Sequence, residues 1–238
     1  MSNPFADTSH RKAAKVAGFT FLFYMAAGAT VVFLMNRATS AEGTAATLAQ
    51  IAEHASDVRI AILLELLECF SALVLAVTLY GITRDENHEL AMLGLVCRVG
   101  EGVLGAIGIP KTMGLLWLAT AGGGAGAPDV ATANTLGAFF LVPVQGAMIG
   151  APFFAVGSTI FSWLLLRGRI VPAPLAWLGV LASVLLVVGI PLQLADFLKG
   201  PMTGYMWMPM VAYQVPLGLW LLIKGVATLT RKLQDKSI

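Results

Sequence analysis

Six long apolar runs constrain the fold of this chain more than any other feature. They lie at about 13–35, 58–82, 90–119, 133–166, 174–198 and 206–229. A helix needs roughly 20 apolar residues to cross a hydrocarbon core of about 30 Å. Runs of this length, separated by short polar turns, predict an all-α fold: an integral membrane bundle of six transmembrane helices. Composition agrees, since 58% of the 238 residues are hydrophobic and 12% are charged. Soluble domains average about a quarter charged residues, and so little charge cannot cover a soluble surface. The whole chain, 1–238, reads as a single membrane domain.

The first run follows His10, Arg11, Lys12 and Lys15, an arrangement that superficially resembles a signal peptide. The run is too long for a signal-peptide core, and no small-x-small site leads into a polar domain. It is expected to stay as the first span. Cations then set the orientation. Arg11, Lys12, Lys15, Arg84, Arg167, Arg169, Arg231, Lys232 and Lys236 fall on one side; Arg37, Lys199 and Arg59, at a helix mouth, fall on the other. Both termini are therefore expected in the cytoplasm, with the chain in the plasma (inner) membrane. The polar loop after Asn36-Arg37 has an Ala/Thr-rich middle that suits a short interfacial helix. The run 133–166 is too long for an untilted crossing and contains Pro143 and Pro152, so a kink or a broken helix is expected there.

Charge inside these runs is the second signal. Glu65 and Glu68 lie within the second, Arg98 and Glu101 within the third. Each costs roughly 2.5–3.5 kcal/mol on insertion scales, so such residues persist where they are paired, wetted or used. Gly94, Arg98, Glu101, Gly105, Gly108 and Thr112 alternate spacings of four and three, which places them on one helical stripe. Ala61, Glu65, Glu68 and Ala72 share a face of the preceding span. The two spans are antiparallel and joined by a short turn, which puts Glu68, Arg98 and Glu101 near mid-membrane. Arg98 is the expected partner of Glu68, of Glu101, or of both. Three acids then face one deep arginine, with Arg59 and Lys111 nearer the outer end.

A second polar group comprises Lys111, Gln193, Asp196, Tyr213 and Gln214, and Gln145 falls near the middle of the fourth run. Together with the four buried charges these are the candidates for substrate or ion binding. Pro191, Pro209 and Pro216 lie among them. Gly146 and Gly150 form a GxxxG pattern suited to close helix packing. Trp117, Trp163, Trp177, Trp207, Tyr80 and Tyr205 lie near span ends, as interfacial aromatics do.

Other chemistries are excluded. His10, His54 and His88 lie outside the runs and have no ligand spacing, so neither histidine-bound metal nor haem is expected; carboxylate-only metal binding by Glu65, Glu68 and Glu101 is a weak alternative. There is no phosphate loop, no dinucleotide fingerprint and no serine triad. No cofactor is implied. The net charge of +2 is not gathered into a basic patch with aromatics, which excludes nucleic acid as a partner. Cys69 and Cys97 read as two buried thiols. The expected partners are the lipid bilayer and a small-molecule or proton ligand.

Four segments carry a family resemblance: Arg11-Lys12-Ala13-Ala14-Lys15-Val16-Ala17-Gly18, Leu63-Leu64-Glu65-Leu66, Cys97-Arg98-Val99-Gly100-Glu101-Gly102 and Trp220-Leu221-Leu222-Ile223-Lys224-Gly225. Through them the chain resembles, over nearly its whole length, the bacterial membrane-protein family filed as domain of unknown function 4386. The Arg-x-x-Glu of span three, here Arg98 and Glu101, is its most specific element. The family often has an acid where this chain has Gln214, so a carboxylate role does not carry over to that position. The resemblance implies a six-helix bundle and supplies no activity, substrate or cofactor. The functional expectation is a charged intramembrane site that binds or transports a small molecule or proton. The alternatives are an intramembrane enzyme acting on a lipid-like substrate, and a structural or sensory subunit held by an ion-pair knot.

Overall fold

A computed structural model describes residues 4–122, 126–141 and 149–226, and all regular structure among them is helical. The helices are α1 (Pro4–Ala38), α2 (Thr44–Glu53), α3 (Ala55–Thr83), α4 (His88–Gly105), α5 (Gly108–Thr120), α6 (Val130–Leu141), α7 (Gly150–Arg167), α8 (Ala173–Leu194), α9 (Met202–Tyr205) and α10 (Met208–Ile223). Six stretches are long and apolar enough to cross a membrane: His10–Ala38, Ala55–Thr83, His88–Thr120, Gly150–Arg167, Ala173–Leu194 and Met202–Ile223. Their outward faces are apolar too. Phe19, Val32, Phe33, Leu63, Val77 and Leu181 are 61–64% exposed. Large apolar side chains left this exposed mark faces that meet something other than water, and lipid is the solvent that fits them.

Proline accounts for two departures from unbroken spans. The third run is split between α4 and α5. Pro110 has no N–H to offer the Ala106 carbonyl and its ring crowds that carbonyl. The chain crosses the gap with tighter bonds, from the Ile107 N–H to Leu104 O at 3.1 Å and from the Ile109 N–H to Ala106 O at 3.2 Å. The break interrupts the expected stripe: Gly94, Arg98 and Glu101 are buried on α4, whereas Gly105 is exposed at its end. Pro209 stands in the same relation to Tyr205, the last residue of α9, and the sixth run accordingly divides into α9 and α10. The run expected at 133–166 contains two helices, α6 and α7. Residues 142–148, with Pro143, Gln145 and Gly146, lie outside the described residues, as do 227–238.

The chain divides into two compact units, Met1–Met25 with Ser71–Gly102 and Gly150–Ile238, and Ala26–Phe70 with Val103–Ile149. In the first, α7 packs on α8 and α8 on α10, around Phe21, Leu75, Leu79, Phe161, Leu164, Leu186 and Leu217. Ala14, Ala17, Gly18 and Phe21 form the buried face of α1 here, at the i, i+3, i+4, i+7 spacing of an inward helical stripe.

In the second unit α2 packs on α5 and α6 through Leu48, Ile51, Leu115 and Leu118. The Ala/Thr-rich loop thus holds a helix. Its connection to α1 is fixed by one amide side chain. Gln50 accepts from the Ala41 N–H at 2.8 Å and donates to Arg37 O and Ser40 Oγ, both at 2.9 Å.

Helix α6 starts at a conventional cap. Asp129 Oδ1 accepts the Thr132 N–H at 2.8 Å, which satisfies one of the orphan donors of the first turn. Hydrogen bonding from Thr132, backbone first and then side chain, holds the Asp129 carboxyl below the ordinary carboxylate range. The folded-state value is depressed, so the stabilisation is present above the unfolded value, about 3.9, and is lost as pH falls through the folded value. The protection factor of the Thr132 amide, its exchange rate relative to the intrinsic rate at the same pH, should therefore fall on acidification. Asp129→Asn should keep protection at both neutral and acid pH, and Asp129→Ala should lose it at both.

Candidate functional site

Arg98 is the centre of the first unit. It lies on the inward face of α4 with Ala91, Gly94, Cys97, Glu101 and Gly102, and it is 1% exposed. Space for its stem comes from Gly157 on α7, where an added Cβ would stand 3.1 Å from Arg98 Cγ. The guanidinium lies over the Phe154 ring at 5.1 Å and the Tyr24 ring at 6.0 Å, distances at which an aromatic face attracts a cation. Its Nη1 stands 2.6 Å from Glu101 Oε2, three residues along the same helix. This is an ion pair by distance, but no N–H is aligned on the oxygen as a hydrogen bond. Nε, Nη1 and Nη2 of Arg98 and Oε2 of Glu101 are all buried without a hydrogen-bond partner among the described residues. The other Glu101 oxygen accepts from the Tyr24 hydroxyl at 3.0 Å.

Arg98 borders a cavity of about 10 Å³ whose polar lining is Ser158, Ser162, Tyr213 and Gln214. Ser162 Oγ donates to the Tyr213 hydroxyl at 2.9 Å, which leaves the tyrosine proton for another acceptor. Gly179 on α8 makes room for the Tyr213 ring; a Cβ there would collide with the ring and with Ser162 Oγ. Tyr213 and Gln214 precede Pro216, which cannot bond the Ala212 carbonyl, so they sit on a loosened turn of α10.

The second unit holds Glu65, Glu68 and Lys111. Glu65 is half-buried on α3 and accepts from the Thr112 hydroxyl of α5, 3.3 Å from each carboxylate oxygen. Lys111 lies close enough to act on it electrostatically. Glu68 Oε1 lies against α1 at Gly28, where an added Cβ would be 2.5 Å away.

The expected second polar group is distributed among different partners. Tyr213 and Gln214 join the Arg98 cavity, while Lys111 accompanies Glu65. Gln193, near the end of α8, has a buried Oε1 without a hydrogen-bond partner among the described residues. Asp196 is exposed and pairs with Lys199 at 2.5 Å. It ends α8 in a left-handed conformation, φ 66°, with the Phe197 N–H bonded to Leu192 O and the Asp196 N–H to Gln193 O. That is a Schellman cap with aspartate in the position usually held by glycine. Gln145 lies outside the described residues.

The sequence reading missed Tyr24, Phe154, Ser158 and Ser162. Tyr24 had a detectable signal: it lies at the centre of the first span, away from the ends where interfacial tyrosines gather. Ser158 and Ser162 are four apart and share a face of α7, a weaker sign in a helix with several small residues. Cys69 and Cys97 both stand as reduced thiols, half-buried and buried respectively.

Six apolar helical spans with lipid-compatible exteriors, one of which buries an arginine and a glutamate, define a polytopic α-helical membrane protein. A family model described as Domain of unknown function (DUF4386) matches residues 16–225, and the chain belongs to that family. No curated protein and no solved structure matches it.

Proposed function

We propose that this protein is a proton-coupled carrier, with Glu101 as the proton-carrying group and Arg98 as its counter-ion. The observation that carries this reading is the Arg98 guanidinium, 1% exposed yet with no hydrogen bond to Nε, Nη1 or Nη2 among the described residues. A buried charge left so incompletely satisfied is expensive if its only role is structural. The same donors become useful when they meet water or an anionic solute. Protonation of Glu101 would remove its charge from Arg98 and free the guanidinium for such a solute. The cavity of about 10 Å³ has room for about one water, so an organic solute enters only in a different conformation. Tyr24 and Tyr213 also face the pair in this unit. The distribution of lysine and arginine supports cytoplasmic termini in the plasma membrane.

The test is dissipation of an imposed pH gradient in vesicles carrying the purified protein and a lumenal pH dye, across a panel of halides and small organic acids. The wild type should dissipate the gradient faster than empty vesicles with at least one solute. Glu101→Gln should abolish the difference while remaining folded. A wild type inert across the panel, or a Glu101→Gln variant as fast as wild type, would leave the ion-pair knot as the better reading.

A further inference from the structure

A second site lies within the second unit, along the outward faces of α3 and α5. Arg59, Ile62 and Leu63 contribute from α3, and Met113, Leu116 and Trp117 from α5. They line an open groove of about 420 Å³, within the 300–1,000 Å³ typical of small-molecule sites. Spacings of three and four on both helices make each set one continuous face.

The groove is graded in polarity along its length. Arg59 is near the start of α3 and Trp117 near the end of α5, which is the level at which arginine and tryptophan sit in a membrane interface. Met113 is one turn deeper than Trp117, and Ile62 and Leu63 about one turn deeper than Arg59. Arg59 itself is exposed and forms no ion pair or hydrogen bond among the described residues. The nearest acid in sequence, Asp57, is already paired with Arg37 at 3.6 Å. Leu63, Met113 and Trp117 are 61, 54 and 51% exposed, so the apolar walls are open to whatever lies beside the helices.

We propose that this groove binds an anionic phospholipid, with its phosphate on Arg59 and one acyl chain along Ile62, Leu63, Met113 and Leu116. An uncommitted arginine supplies the charge complementarity, and an apolar channel that deepens away from it matches the order of headgroup and chain. A zwitterionic lipid would fill the same channel but bring a compensating cation to Arg59.

Trp117 is the reporter. The full chain is reconstituted in bilayers containing brominated phosphatidylglycerol or brominated phosphatidylcholine, and Trp117 quenching is taken as the difference from a Trp117→Phe variant. Phosphatidylglycerol should be preferred about fivefold, corresponding to the ~1 kcal/mol of one arginine near the surface. Arg59→Gln should abolish that preference and leave quenching by phosphatidylcholine unchanged. Leu63→Phe, which narrows the channel without adding a second tryptophan, should weaken Trp117 quenching by both lipids. Equal quenching by the two lipids in the wild type, or a preference that survives Arg59→Gln, would overturn the proposal and reduce the groove to one covered by bulk lipid.

Discussion

Arg98→Met is expected to destabilise the protein by about 3–5 kcal/mol, the usual cost of removing one partner of a buried ion pair. The variant leaves the Glu101 carboxylate, 8% exposed, with the Tyr24 hydroxyl at 3.0 Å and no guanidinium. Methionine replaces the part of the stem that runs past Gly157, so the loss reports charge more than volume. The double variant Arg98→Met/Glu101→Leu should recover most of the loss, because well-packed apolar pairs often match buried ion pairs. Equilibrium unfolding in a mild detergent, with all four members of the cycle measured, gives the coupling energy directly. A single-variant loss below about 1 kcal/mol would mean that Glu101 does without the arginine, either by taking up a proton or by being solvated by water. The same cycle bears on function. If the pair carries a proton, the double variant is stable and inactive; if it only fixes packing, the double variant is stable and unaltered.

The charged core was legible because its cost is so high. Arg98 and Glu101 stood out in an apolar run, and their three-residue spacing on one helix is enough to bring them together, 2.6 Å apart. The closing of the site from other helices was less legible. Tyr24 lies under the guanidinium and the bonded pair Ser162–Tyr213 borders the same cavity as Arg98; Gly157 and Gly179 vacate the space for the Arg98 stem and the Tyr213 ring, and which of 25 glycines serves that purpose depends on tertiary contact. The span count followed from run length alone. The break between α4 and α5 did not, although Pro110 carried the signal: the small-residue stripe was extended past it as if the helix were unbroken. The neutral Gln50, with three hydrogen bonds that fix the α1–α2 connection, gave no sequence sign at all, since a polar residue in a polar loop is unremarkable until its partners are known.

Gly18→Ala is expected to destabilise the protein strongly, because the methyl it adds meets backbone rather than side chain. A Cβ at Gly18 would stand 2.5 Å from Leu222 N and 2.7 Å from Gly218 O. Both are backbone atoms of α10, so the clash cannot be relieved by a rotamer change; the helix itself must move. The approach is reciprocal, because a Cβ at Gly218 would meet Leu22 and Phe21 of α1 at 3.1–3.2 Å. Helices approach this closely in membranes where small residues remove the side-chain barrier, and dispersion between the backbones is then a main source of association. Overpacking a tight core costs about 1–3 kcal/mol, occasionally more, and a contact between main chains belongs at the upper end. The control is Gly81→Ala in α3, where nothing lies within 4 Å of the added methyl. There the better helix propensity of alanine should add stability, by up to about 1 kcal/mol. Opposite signs for the two glycine-to-alanine changes, measured by unfolding in the same detergent, would show that the α1–α10 contact depends on the absence of a side chain at Gly18. A Gly18→Ala variant as stable as wild type would mean that α10 does not approach α1 this closely.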